Sequence, residues 1–218
     1  MKLFNSLGPN PRLVRIFMHE KGIALPETVE IDIMSGENRK PDFVAKNPTG
    51  QMPALELDDG TVLAETVAIC EYLEEKHPEP AWIGATPEER ARTRMWTRRI
   101  EHKITGPLAD GFRFGEGVAM FKDRMRVIPQ AADDLKALAR EGIAWLDTQM
   151  ADGRAYVTGA SPTLADVVLY AFLDFAGGVG QPLDRSNQRV AAWFDRMAAR
   201  PSADASLHPA ARAARMRG

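Results

Sequence analysis

The chain has 218 residues, 44% of them hydrophobic and 27% charged, and a formal net charge of −2. This is an ordinary globular composition with enough apolar residue for a sizeable core, and its charge balance gives no reason to expect binding to nucleic acid or an anionic membrane surface. The single cysteine, Cys70, excludes an internal disulfide and a multi-cysteine metal cluster, and with no signal-peptide pattern or apolar run of about 18 residues it points to a soluble cytoplasmic protein.

The first element is a short apolar strand over Lys2–Asn5, which runs into the turn Ser6-Leu7-Gly8-Pro9-Asn10-Pro11. A helix begins near Pro11, with Leu13, Ile16 and Phe17 on its core face, and Lys21-Gly22 ends it. Val29, Ile31 and Ile33 alternate with Glu30 and Asp32, which predicts a half-buried strand parallel to the first with a right-handed crossover. A polar stretch from Met34 leads to a short helical segment at PDFVAK, closed by Asn47-Pro48.

Leu55 and Leu57 alternate with Glu56, Asp58-Asp59-Gly60 is a turn signal, and Val62-Leu63 restarts a β run, which predicts an antiparallel hairpin. A helix follows from Thr66, whose hydroxyl is expected to cap it, and His77-Pro78 stops it. The free N–H groups at that helix start suit a carboxylate, and Glu65 beside them suits an amine on the same ligand. Met52-Pro53 opens the preceding strand, where proline removes a ladder donor and leaves the backbone of Gln51-Met52 available. The alternative is a hairpin packed on a helix with no ligand. The order β-α-β, then β-β-α, is that of a thioredoxin-like domain.

The segments NPTGQMPAL and LAETVAICEYLEEKHP resemble the glutathione-binding half of the cytosolic glutathione transferases. The resemblance implies glutathione as the bound substrate. It implies a cis-proline at Pro53 with Met52 pairing its backbone to the cysteinyl part, Glu65 and Thr66 holding the γ-glutamyl end, and Gln51 and Lys40 contributing at the edge.

His77-Pro78-Glu79-Pro80 is a proline-rich break, giving an α/β thioredoxin-like domain over 1–77 and an all-α helical domain over 86–218. Thr86-Pro87-Glu88-Glu89 is a capping box opening a helix with Met95, Trp96, Ile100 and Ile104. A further helix starts near Pro129, with Leu135, Leu138, Leu146 and Met150 on its apolar stripe. Thr163 and Asp166 form a second capping signature before a very apolar helix, an arrangement the family also shows. Val190, Trp193, Phe194 and Met197 mark the last amphipathic helix.

A thiolate placed at the turn before the first helix would feel that helix's positive end, which lowers a thiol pKa. The family usually carries Tyr, Ser or Cys there, whereas this chain has Gly8. The Nu-type bacterial members read Thr-Pro-Asn, so the resemblance favours Asn10 as the donor to the thiolate and Ser6 second. Without a ligand, Asn10 is a helix cap and Ser6 a turn residue. Phe112, with Phe114 and Phe121, lines a pocket for a small hydrophobic electrophile or belongs to the core. Cys70 reads as a small buried hydrophobe, and the four histidines show no metal spacing. The expected activity is that of a homodimeric glutathione transferase. The alternatives are a glutathione-dependent disulfide or peroxide reductase, or a binding protein that keeps the fold without turnover.

Overall fold

The computed structural model describes residues 1–24, 27–211, 213–214 and 216–218. They form two compact units, Met1–Trp82 with Pro201–Gly218, and Ile83–Arg200.

Unit 1 is built on a four-stranded sheet. Its strands are β1 (Lys2–Asn5), β2 (Glu27–Glu30), β3 (Ala54–Glu56) and β4 (Val62–Leu63), in the order β2-β1-β3-β4. β1 pairs parallel to β2 and antiparallel to β3, with Leu3 opposite Leu55 and Phe4 opposite Ala54. Because side chains alternate along a strand, one face collects Phe4 and Ala54 with Ile31, Phe43 and Met52, while Leu3 and Leu55 are buried on the other. Three helices complete the α/β pattern: α1 (Pro9–Glu20), α2 (Pro41–Val44) and α3 (Thr66–Lys76), with α1 and α3 packed together.

The second strand is shorter than its alternation predicts. β2 ends at Glu30; the Ile31 N–H still donates to Asn5 O at 2.9 Å, but Asp32 Oδ1 then accepts from the N–H groups of Met34 and Ser35. That local turn competes with the ladder and removes Ile33 from it. The sequence also placed residues 201–218 in the helical domain. They belong to unit 1, where the buried Arg12 donates to Ala203 O at 2.8 Å and the buried Arg15 to Ser206 O at 2.9 Å.

Unit 2 is helical: α4 (Pro87–Ile100), a π-helical turn (Glu101–Thr105), α5 (Gly106–Phe114), α6 (Val118–Phe121), α7 (Ala132–Gln149), α8 (Leu164–Gly178) and α9 (Gln188–Ala198). The remaining short helix, α10 (Pro201–Ala205), lies in unit 1. Both predicted capping boxes are present, Thr86 with Glu89 and Thr163 with Asp166. α8 is buried along nearly its whole length, as its lack of a polar face requires. Met95 and Leu138, expected in the core, are exposed. No helix among the described residues is long and apolar enough to cross a membrane.

Candidate functional site

One pocket in unit 1 gathers Asn10 of α1, Asn47, Thr49, Gln51, Met52 and Pro53 from the segment before β3, and Ala64, Glu65 and Thr66 where β4 passes into α3. Six of the sequence-predicted site residues therefore meet: Asn10, Gln51, Met52, Pro53, Glu65 and Thr66.

The start of α3 is open to an anion. Glu65, not Thr66, is the N-cap; it stands at φ 67 and its side chain makes no capping bond. Thr66 is already the first helical residue, so its hydroxyl is not placed to accept from the N–H two or three residues on, and the expectation that it caps the helix is corrected. The first intrahelical bond runs from the Ile69 N–H to Glu65 O at 3.0 Å. The N–H groups of Thr66, Val67 and Ala68 thus have no acceptor within the helix, and the positive helix end adds to them. A carboxylate satisfies these donors, and the Glu65 carboxylate beside them attracts an ammonium, so the junction is suited to the α-amino acid end of a ligand.

The start of α1 is different. Gly8 is its N-cap at φ 125 and provides no side chain. Pro9 and Pro11 lack N–H groups, and the Arg12 N–H is taken by Gly8 O at 3.2 Å. Asn10 is thus the residue of this first turn that offers a backbone donor; it lines the pocket, and its side-chain amide has no protein partner among the described residues.

The third wall is held by side chains. Asn47 Nδ2 donates to Gln51 O at 2.8 Å, Asn38 Nδ2 to Gly50 O at 2.6 Å and Arg39 Nη1 to Thr49 O at 2.9 Å. Gly50 sits at φ 58 with Asn38 O 2.8 Å from where a Cβ would be, so the loop needs glycine there. The Met52–Pro53 bond is cis. Met52 packs its side chain into the sheet core with Phe4 and Phe43, which leaves its main chain for the pocket. Asn47 was not singled out from sequence; its place in an Asn-Pro-x-Gly turn ahead of Gln51 was the available signal.

Two residues expected at this pocket, Ser6 and Lys40, are not in its lining. Ser6 is buried and its hydroxyl donates to Ile31 O at 2.6 Å, tying the end of β1 to the chain after β2; it does not line the pocket. Lys40 is an exposed residue at the N-cap of α2, outside the lining. Phe112 belongs to unit 2, packed edge-on against Phe121 and Phe175 at centroid distances of 6.1 and 5.1 Å in an aromatic cluster. Cys70 is buried inside α3, and burial pushes its thiol well above the ordinary range, which makes it a poor nucleophile. Among the described residues, no group of three His, Cys, Asp or Glu could hold a metal ion.

Residues 8–76 match the family model described as Glutathione S-transferase, N-terminal domain, and residues 129–196 match its C-terminal counterpart. Glutathione S-transferase 2 of Saccharomyces cerevisiae is 34% identical over 201 residues, covering 89% of this chain and 84% of that protein. Maleylacetoacetate isomerase of Pseudomonas aeruginosa is 32% identical over 200 residues, covering 90% of each. The crystal structure of a glutathione S-transferase domain-containing protein from Marinobacter aquaeolei VT8 has a TM-score of 0.86 and 35% identity, covering 93% of this chain and 99% of that one.

Proposed function

The chain belongs to the glutathione S-transferase family, and on that premise we propose that the pocket at the starts of α1 and α3 binds glutathione and activates its thiol through Asn10. Glutathione is the substrate and the activity is that of a glutathione transferase. The convergence of two helix N-termini and the Met52 main chain on one pocket carries the reading.

The γ-glutamyl carboxylate accepts from the N–H groups and hydroxyl at Thr66, its ammonium pairs with Glu65, and the cysteinyl backbone runs along Met52. The sulfur then falls to Asn10. A free thiol ionises at about pH 8.5. Lowering that by about two units requires about 2.7 kcal/mol, and a hydrogen bond to the thiolate at about 1.5–3 kcal/mol with a helix-end contribution of about 0.3–1 kcal/mol supplies it. No protein base is needed, since the proton leaves to water as the thiolate forms. The sulfur lone pair attacks an electrophilic carbon and the leaving group departs with its bonding pair.

The second substrate is proposed to be a small apolar electrophile, and the assembly a homodimer, the commonest closed arrangement for a soluble chain. The test is calorimetric titration with glutathione, followed by turnover with a chloroaromatic and with a small disulfide. Binding with conjugation of the chloroaromatic is the expected result; binding with disulfide reduction alone would make the protein a reductase, and no binding would remove the reading. A monomer mass at micromolar concentration would remove the dimer.

A further inference from the structure

The turn that carries Asn10 has no side-chain cap. It is instead held from the buried side of α1. Arg15, itself buried, donates from Nη1 to Asn5 Oδ1 at 2.6 Å and to Ser6 O at 3.2 Å, the two residues that lead into the turn, and from Nε to Ser206 O at 2.9 Å. Arg12 reaches the same C-terminal segment, from Nη2 to Ala203 O at 2.8 Å and from Nε to Ser206 Oγ at 3.2 Å. Gly218 lies against Gly8 so closely that a Cβ on Gly218 would fall 2.7 Å from the Gly8 carbonyl carbon. The turn is therefore clamped between α1 and the C-terminal residues Ala203, Ser206 and Gly218, and Arg15 is the group that touches both its entry and the clamp.

We propose that Arg15 is a positioning residue for the reaction: its fork of donors fixes the Asn5 side chain and the Ser6 carbonyl against the C-terminal segment, and thereby keeps Asn10 aimed at the glutathione sulfur. This rests on the Asn10 reading above. The planar fork is what the role needs, because one guanidinium reaches acceptors on two chain segments at fixed angles, which a single ammonium cannot do. Its Nη2 is buried with no hydrogen-bond partner among the described residues, which costs stability. Burial lowers Arg15 to about 10, opposed by the Glu30 carboxylate and reinforced by Arg12, so the group is charged at neutral pH and Arg15→Lys preserves that charge while removing the fork.

The thiolate absorbance of the glutathione complex is titrated against pH in the parent, Arg15→Lys, Asn10→Ala and the double variant. Each single change is expected to raise the thiol pKa by about one unit, a tenfold loss of thiolate at limiting pH, with the double variant no further shifted than Asn10→Ala. An unshifted Arg15→Lys beside a shifted Asn10→Ala overturns the positioning role and leaves the Asn10 reading intact. A full additional shift in the double variant overturns it too, because Arg15 would then act on the sulfur without Asn10. An unshifted Asn10→Ala removes the Asn10 reading and this inference with it. Should Arg15→Lys fail to fold, Asn5→Ala cuts the same link from the side of the turn; it must raise the pKa likewise, and an unchanged titration overturns the role.

Discussion

Asn10 and Thr66 stand in the first turns of two different helices and line one pocket. The two helix starts are not equivalent. α3 presents several N–H groups with no intrahelical acceptor, whereas prolines strip α1 of all but the Asn10 donor, and this difference is why we propose the carboxylate at Thr66 and the sulfur at Asn10. Thr66→Ala should weaken glutathione binding by about 1.5–3 kcal/mol, the range for a hydrogen bond to a charged group. The pKa of the bound thiol should stay where it is. Calorimetry measures the first and thiolate absorbance the second; unchanged affinity would take Thr66 out of the site.

Glu65 is the non-glycine residue with positive φ among the described residues, at 67°, and it carries the carboxylate assigned to the ligand ammonium. Holding a side chain in that region costs about 1–3 kcal/mol. Glycine adopts it freely but gives back about 0.5–1 kcal/mol in chain entropy. Glu65→Gly should therefore leave the protein as stable or up to about 2 kcal/mol more stable, while glutathione binding falls. A denaturant titration in which the variant is clearly less stable would show that the conformation is not strained.

Local signals carried most of what the sequence disclosed. The hairpin, α3 and the two capping boxes each depend on residues within a few positions of one another, and each is present. The failures are long-range or single-residue matters. Lys21 does end α1 as its C-cap, but its burial and its pairing with Glu74 at 2.5 Å, far along the chain, have no local signal. Ser6 reads as a turn hydroxyl free for a ligand, but Ile31 O claims it. A glutamate at positive φ has no sequence signature at all, and so the start of α3 was placed to make Thr66 the cap. Gln51, Glu65 and Thr66 of the pocket lining stood out by their motif, whereas Asn47 did not; nor did the ties of Arg12 and Arg15 to the C-terminal segment, because those acceptors, Ala203 O and Ser206 O, lie 191 positions away.

In unit 2, Asp166 organises the start of α8. Its Oδ1 accepts from the Val157 N–H and Trp193 Nε1–H, both at 2.8 Å, and its Oδ2 from the Thr163 N–H at 2.8 Å. Asp166→Ala leaves these buried donors unpaired at about 1–3 kcal/mol each before relaxation, so a total loss of about 3–5 kcal/mol is expected. Trp193, fully buried beside it, should shift its fluorescence to the red at a lower urea concentration than in the parent. An unfolding free energy within about 0.5 kcal/mol of the parent's, the range of ordinary surface changes, would contradict this role.

Asp147, in α7, caps α9 from outside that helix. Its Oδ1 accepts from the Arg189 and Val190 N–H groups at 2.7 and 3.0 Å, and its Oδ2 from Arg189 Nη1 at 2.9 Å. Burial works to raise its pKa, but the hydrogen bonds from Val190 and Arg189 outweigh it and hold the carboxyl below the ordinary range. An unfolded aspartate ionises at about 3.9. Since the folded value is lower, the native state binds fewer protons in the interval between the two, and the stabilisation is complete above the unfolded pKa and fades as pH falls through it toward the folded one. Asp147→Asn keeps a neutral acceptor and loses the charge, which should cost about 1–2 kcal/mol at pH 7. Urea titrations of parent and variant at pH 7, 5 and 3 should show a gap that is unchanged between the first two and narrower at the third. A gap that widens on acidification would mean that the cap does not depend on the ionised carboxylate.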